Sequence, residues 1–169
     1  MLSFTTFYNY SVDQKITEDK NSEWIRSTYR IMLYQDNGGN LVITQNPTLW
    51  SIPNKSNYVP QQPESNGTVD SDTVQEVIEF LETFFTFYPT ATDKELAYYV
   101  KNSALPPIGK DYIFSELINP VFQKSGSQVH VWVSVKYLDE TTKATQLSQY
   151  ELTLEKDTNW MIAKYVKKK

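Results

Sequence analysis

"DTVQEVIEFLETFFTFYP", residues 72–89, decides the fold. Its apolar side chains Val74, Val77, Ile78, Leu81, Phe84, Phe85 and Tyr88 recur at i, i+3, i+4, i+7, the period of one helix face. Pro89 lacks the N–H needed to continue the run and ends it. Upstream, Thr73 and Glu76 have capping-box spacing, and Asp70 and Asp72 suit the positive end of the helix dipole. Downstream, Thr92 and Glu95 repeat that spacing and open a short helix expected to carry Leu96, Tyr99 and Val100. The stretch from Phe80 to Tyr88 holds Phe80, Leu81, Phe84, Phe85, Phe87 and Tyr88, so the helix must lie against an equally apolar surface.

The C-terminal sequence supplies that surface. "QVHVWVSVKYL" (residues 128–138) alternates, with Val129, Val131, Val133, Val135 and Tyr137 on one face and His130, Trp132, Ser134 and Lys136 on the other. "SQYELTLE" puts Tyr150, Leu152 and Leu154 on one face, and "NWMIAKYV" closes the sheet. "YIFSELINPVFQ" reads as an irregular strand before them. The connections "DETTKAT" and "EKDTN" are short enough for antiparallel hairpins. A long helix, a short helix and about four antiparallel strands bury both apolar faces if a twisted sheet wraps the long helix. The expected class is α+β, a cone of the cystatin-like or nuclear-transport-factor-like kind, over residues 72–169.

Residues 1–53 read as strand without helix. "FTTFYNYSV" and "EWIRSTYRIMLY" are aromatic and β-branched, "QDNGGN" (residues 35–40) is a hairpin turn, and "LVIT" (residues 41–44) is the return strand. Residues 54–71, with Pro60, Pro63, Asn, Gln and Ser, have no apolar period and read as an extended linker. "STYRIMLYQD" (residues 27–36) and "SQYELTLEKD" (residues 148–157) share Ser-x-Tyr-x-Ile/Leu-x-Leu-x-x-Asp, and each runs into a hairpin turn followed by an apolar strand. Residues 1–53 are therefore expected to be the sheet half of a second, truncated domain of the same type. A one-sided sheet cannot bury its apolar face alone, so its cover must come from a longer chain or another element.

Composition narrows the chemistry. The chain has 169 residues, 40% hydrophobic and 21% charged, enough to bury a core. A net charge of −4 argues against a dedicated nucleic-acid binder, and the basic cluster Lys164 and Lys167–Lys169 reads as a solvated tail. With no cysteine, thiol catalysis, disulfides and Cys-ligated zinc are excluded. The single histidine, His130, excludes a His-rich metal site. Five glycines give no phosphate-cradling loop, and no Ser-His-Asp set occurs. Neither a signal peptide nor an apolar run of membrane-spanning length is present, so a soluble chain is expected.

The linker "SIPNKSNYVP", the block "VDSDTVQEVIEFLETFFTFYPTATDKELAYYV" and the strand-rich end containing "YELTLEKDTNWMIAKY" together resemble the TcpC-like conjugative transposon proteins of Gram-positive bacteria. The resemblance runs from about residue 52 to 165 and is strongest over residues 69–100. It implies a membrane helix followed by two tandem nuclear-transport-factor-like domains on the extracytoplasmic face of the cell membrane. It further implies similarity to the VirB-eight type of scaffold in type IV secretion, trimer formation, and partners among the other conjugation-apparatus proteins. No direct nucleic-acid binding and no cofactor are implied, and the membrane is reached only through an N-terminal helix that this sequence lacks. The implied role is a non-enzymatic assembly component.

An alternative is a ligand-binding or enzymatic cone with a pocket between helix and sheet, which needs a carboxylate or histidine inside that pocket. Asp111 and Tyr112 are better read as a turn or cap, and Glu79 and Glu82 as a solvated helix face. The candidates for protein contact are Phe80 and Phe87, which lie about 100° off the apolar stripe, and His130 and Trp132 on the expected outer face of the sheet. Packing against the second helix or the neighbouring domain of the same chain is the competing reading for Phe80, Phe87 and Trp132; for His130 a catalytic role is the alternative to a surface or contact role.

Overall fold

Alternation in the first third of the chain produces a three-stranded antiparallel sheet. The computed structural model describes residues 3–15 and 24–165, so the basic tail Lys167–Lys169 lies outside the described residues. The chain divides into two compact units, Met1–Pro60 and Gln61–Lys169. In the first, β1 (Phe4–Lys15), β2 (Trp24–Gln35) and β3 (Leu41–Leu49) pair in that order. The "QDNGGN" turn forms as read: Asp36 Oδ1 accepts from the Gly38 and Asn40 N–H groups at 2.8 and 2.9 Å, and Gly39 takes φ 87°. The return strand runs on to Leu49, beyond the four residues expected.

Residues opposite one another share a face. The pairs Tyr8 with Ile31, Tyr10 with Tyr29 and Leu33 with Ile43 therefore build one apolar face. Every charged residue of the three strands, Asp13, Lys15, Arg26 and Arg30, stands on the other. That face also carries the exposed Phe7, Trp24, Tyr34 and Val42, and its polar groups are internally bonded. Arg26 makes two 2.7 Å hydrogen bonds to Asp13, Ser11 and Thr28 hydroxyls meet at 2.9 Å, and Arg30 lies 3.6 Å from the Trp50 ring centroid.

In the second unit, α1 (Ser71–Phe87) buries the predicted stripe, with Val77, Leu81, Phe84 and Phe85 all 0% exposed. Each such side chain contributes about 1.5–3 kcal/mol by leaving water. The cap differs from the expectation. Asp70 is the N-cap, and its carboxylate accepts from Thr73 N–H at 2.9 Å, so Thr73 is already in the first turn. Aspartate caps at least as well as threonine and starts the helix earlier. Glu76 is thereby free to bond Lys156 Nζ and, at 3.1 Å, Trp160 Nε1.

The second capping box does form: Thr92 and Glu95 exchange bonds around α2 (Asp93–Leu96). That helix is one turn long, shorter than expected. Tyr99 and Val100 lie past its end, where Tyr99 O accepts from Ile162 N–H at 2.8 Å and Val100 bridges Ile162. Asn102 and Ser103, both at φ 51°, then take left-handed conformations that interrupt further helix.

The sheet of this unit runs β4 (Tyr112–Ser125), β5 (Gln128–Asp139), β6 (Thr145–Lys156), β7 (Trp160–Tyr165), each antiparallel to its neighbour. β5 alternates as read, with Val129, Val131, Val133, Val135 and Tyr137 buried. β4 is irregular as read. Its register shifts between Phe114 and Glu116 and again between Ile118 and Val121, where Asn119 (φ 47°) and Pro120 leave the ladder.

Residues 61–70, read as linker, belong to the second unit. They form a strap held to the end of β4: Gln123 Nε2 donates to Glu64 O at 2.7 Å, and Lys124 N–H donates to Thr68 Oγ1 at 2.8 Å. Val69 packs on the core before Asp70 opens α1.

Candidate functional site

The space between helix and sheet, where a cone would hold a ligand, is filled by aromatic rings. Phe84 contacts Phe85 edge-on at 5.1 Å and stacks on Tyr88 at 4.9 Å, and Phe85 meets Tyr150 at 4.8 Å. No Asp, Glu or His is buried among them. The polar groups inside are phenols. Tyr88 Oη donates to Pro106 O at 2.9 Å, and burial pushes its pKa well above the ordinary tyrosine range. Burial does the same to Tyr137, whose hydroxyl meets no hydrogen-bond partner among the described residues, although Tyr150 is the phenol that most affects it after desolvation. Both phenols are therefore protonated and uncharged near neutral pH.

The carboxylates that are shifted all lie on the surface, and their causes are structural. Lys156, and then the Trp160 indole, hold Glu76 below the usual carboxylate range. Lys101, and then Gln128, do the same for Glu155, while the Thr73 N–H holds Asp70 down at the helix start. These are clasps between elements. Among the described residues no group of three His, Cys, Asp or Glu is placed to hold a metal ion.

The four contact candidates fall in two places. Phe80 and Phe87 flank the core stripe of α1, half-buried, and both rings meet Tyr99, at 6.3 and 4.5 Å. Tyr99, expected on the second helix, comes instead from the turn after α2. Its ring arrives there because the Tyr99 and Val100 backbone is stitched to Ile162. His130 and Trp132 stand together on the outer face of β5, half-buried, with ring centroids 6.4 Å apart. His130 Nδ1 lies 3.1 Å from Thr153 Oγ1, and Thr153 is only 4% exposed. That bond ties His130 to β6.

Two open surfaces among the described residues bear on function. One is the apolar face of β1–β3, on which Tyr8, Ile43 and Leu49 are 57%, 55% and 69% exposed. A face this apolar and this continuous is unusual on a free surface. The other is a groove of ≈ 800 Å³ on the outer face of the second sheet, beside Trp132 and rimmed by Gln62 and Pro63. The sequence carried the first as an alternation of aromatic and β-branched residues. It carried no signal for the second, because the groove depends on the strap folding back over the sheet.

Comparison with known proteins fits this arrangement. A family model described as the conjugative transposon protein TcpC matches residues 6–163. A solved structure described as an Ntf2-like protein involved in plasmid conjugation superposes with a TM-score of 0.62 at 11% identity, covering 98% of this chain and 70% of that one. At that identity the likeness shows a shared fold. No curated protein matches the sequence. No helix among the described residues is long and apolar enough to cross a membrane.

Proposed function

The chain belongs to the conjugative transposon protein TcpC family, and from that premise we propose that it is a non-enzymatic assembly component of a type IV secretion-like DNA-transfer apparatus. Membership gives the coarse role, conjugative transfer. The finer reading is that the chain works by protein contact, on the extracytoplasmic side of a Gram-positive cell membrane, with other apparatus proteins and in homo-oligomers such as trimers.

One observation carries this reading: the uncharged, uncovered face of β1–β3. A three-stranded sheet whose charges are confined to one face and whose other face is uncharged, apolar and exposed is half of a two-layer structure. Its complement is protein. The register supports a more specific view, that β1–β3 are the strand half of a second domain of the same type. Tyr29 pairs Tyr10 as Tyr150 pairs Val133, and Leu33 pairs Ile43 as Leu154 pairs Ile162. A register shift falls between Met32 and Leu33 and again between Thr153 and Leu154, the same step after Tyr29 as after Tyr150. In the second unit the equivalent face, with Leu152 and Leu154, is the one α1 covers.

The test is conjugative transfer with a charged face. Tyr8→Lys with Ile43→Lys adds charge at exposed positions, so the sheet itself is not forced open, and transfer frequency should fall by orders of magnitude. Thr5→Lys on the opposite face of β1 is the control. Undiminished transfer by the double variant, expressed at normal level, would end the proposal.

A further inference from the structure

The groove on the outer face of the second sheet has a floor of two adjacent cross-strand rows. Ile118, Ser134 and Gln149 form one, and Val121, Trp132 and Glu151 the other. Apolar groups lie on the β4 side and at Trp132, while Ser134 and Gln149 offer uncharged hydrogen-bonding groups on the β6 side. Glu151 is the one charge among these six. An open trough of this composition suits an extended backbone better than a compact molecule.

The chain shows what such an occupant looks like. Gln62 and Pro63 stand at the rim, with Pro63 half-buried against the sheet. Proline biases Gln62 toward extended conformations, and Pro60 does the same one turn of polyproline helix earlier. A proline at the rim of a groove floored by a tryptophan is how aromatic grooves hold proline-rich segments. Before Gly67 the strap is held by the Gln123–Glu64 bond, whereas Thr68, Val69 and Asp70 anchor its end to β4, the core and α1. A partner segment can therefore compete with it along the groove. The bulge at Asn119 and Pro120 keeps the adjoining β4 backbone out of the regular ladder, so the site is not simply another edge for strand addition.

We propose that this groove is a docking site for an extended, proline-bearing peptide segment of a partner protein, neutral or basic in its flanks, and that the strap Gln61–Asp70 guards it by occupying its rim. The proposal is independent of the face of β1–β3. With a competing strap, apparent affinity is the intrinsic affinity reduced by the fraction of time the groove stands open.

The probe is a synthetic peptide of the strap's own sequence, Tyr58–Asn66, with Glu64→Gln to keep its flanks neutral, added to the isotope-labelled full chain and followed by amide and indole NMR shifts. In Gln123→Ala, which removes the Glu64 anchor outside the groove floor, the peptide should shift Val121, Trp132 and Ser134, and bind about tenfold more tightly than to the unaltered chain. Replacing the proline equivalent to Pro63 in the peptide by glycine should abolish the shifts. Pro63→Gly in the chain is a second route to the open strap and should give the same gain. Absence of shifts at these residues in both variants, with folded spectra, would overturn the proposal. Equal binding by the glycine peptide would overturn its proline specificity.

Discussion

Removing an oxygen atom from the core of the second unit should make the protein more stable. The Tyr137 hydroxyl is buried, and the Tyr150 phenol, close enough to perturb it, does not meet hydrogen-bond geometry with it, nor does any other described residue. A buried, unsatisfied polar group costs about 1–3 kcal/mol relative to its solvated state. Tyr137→Phe deletes that group and keeps the ring, with its neighbours Tyr112 at 6.1 Å and Phe114 at 6.4 Å. The volume lost is a single hydroxyl, so the cavity penalty is small beside the desolvation relieved. The net expectation is a gain of about 1 kcal/mol, which for a unit of this size raises Tm by about 4 °C. Tyr88→Phe is the matched comparison. It removes a hydroxyl that donates to Pro106 O at 2.9 Å, so it orphans a carbonyl and should cost about 1 kcal/mol. Calorimetry of the full chain, with the second unit's transition assigned by NMR, measures both. A loss of 1 kcal/mol or more in Tyr137→Phe would refute the reasoning, because it would mean that the hydroxyl is satisfied and that the interior contains a polar site.

Two further outcomes follow from the same core and its clasps. Phe84→Ala removes a fully buried ring with five aromatic neighbours and should cost about 3–5 kcal/mol; a urea titration of the second unit showing less than about 1 kcal/mol would mean the helix stripe is not its core. Asp70, Glu76, Glu95 and Glu155 all titrate below their ordinary values in the folded chain. Their stabilisation is therefore complete above the usual carboxylate range and lost as pH falls through the lowered values, so Tm should be flat from about pH 7 to 5 and fall below about pH 4. A Tm that rises on acidification would contradict those clasps.

Residues 72–89 and 128–138 were legible because burial on one face imposes a period, and a period survives in a single sequence. Cap choice was not. Asp70 and Thr73 are both competent N-caps, and the winner depends on where the preceding strap delivers the chain, which Gln123 and Lys124 determine from far along the sequence. The same dependence hid Tyr99. Its packing on Phe80 and Phe87 follows from a bridge between Val100 and Ile162 that no local pattern encodes. Phe80 and Phe87 therefore have a place on their own chain while remaining half-exposed.

The repeat lies between these extremes. The shared residues of 27–36 and 148–157 indicate a common hairpin, but ten residues cannot say which face of each sheet is equivalent. Register can. Since a slip of one residue would exchange faces, the matching pairs and the shift at the same step after each tyrosine make Tyr29, Ile31 and Leu33 correspond in register, position for position, to Tyr150, Leu152 and Leu154. The hydrophobic demand on both faces is then of one kind. In the second unit it is met by residues 71–87; the described residues of the first unit include no helix to meet it, and that asymmetry makes the first sheet the stronger candidate for assembly.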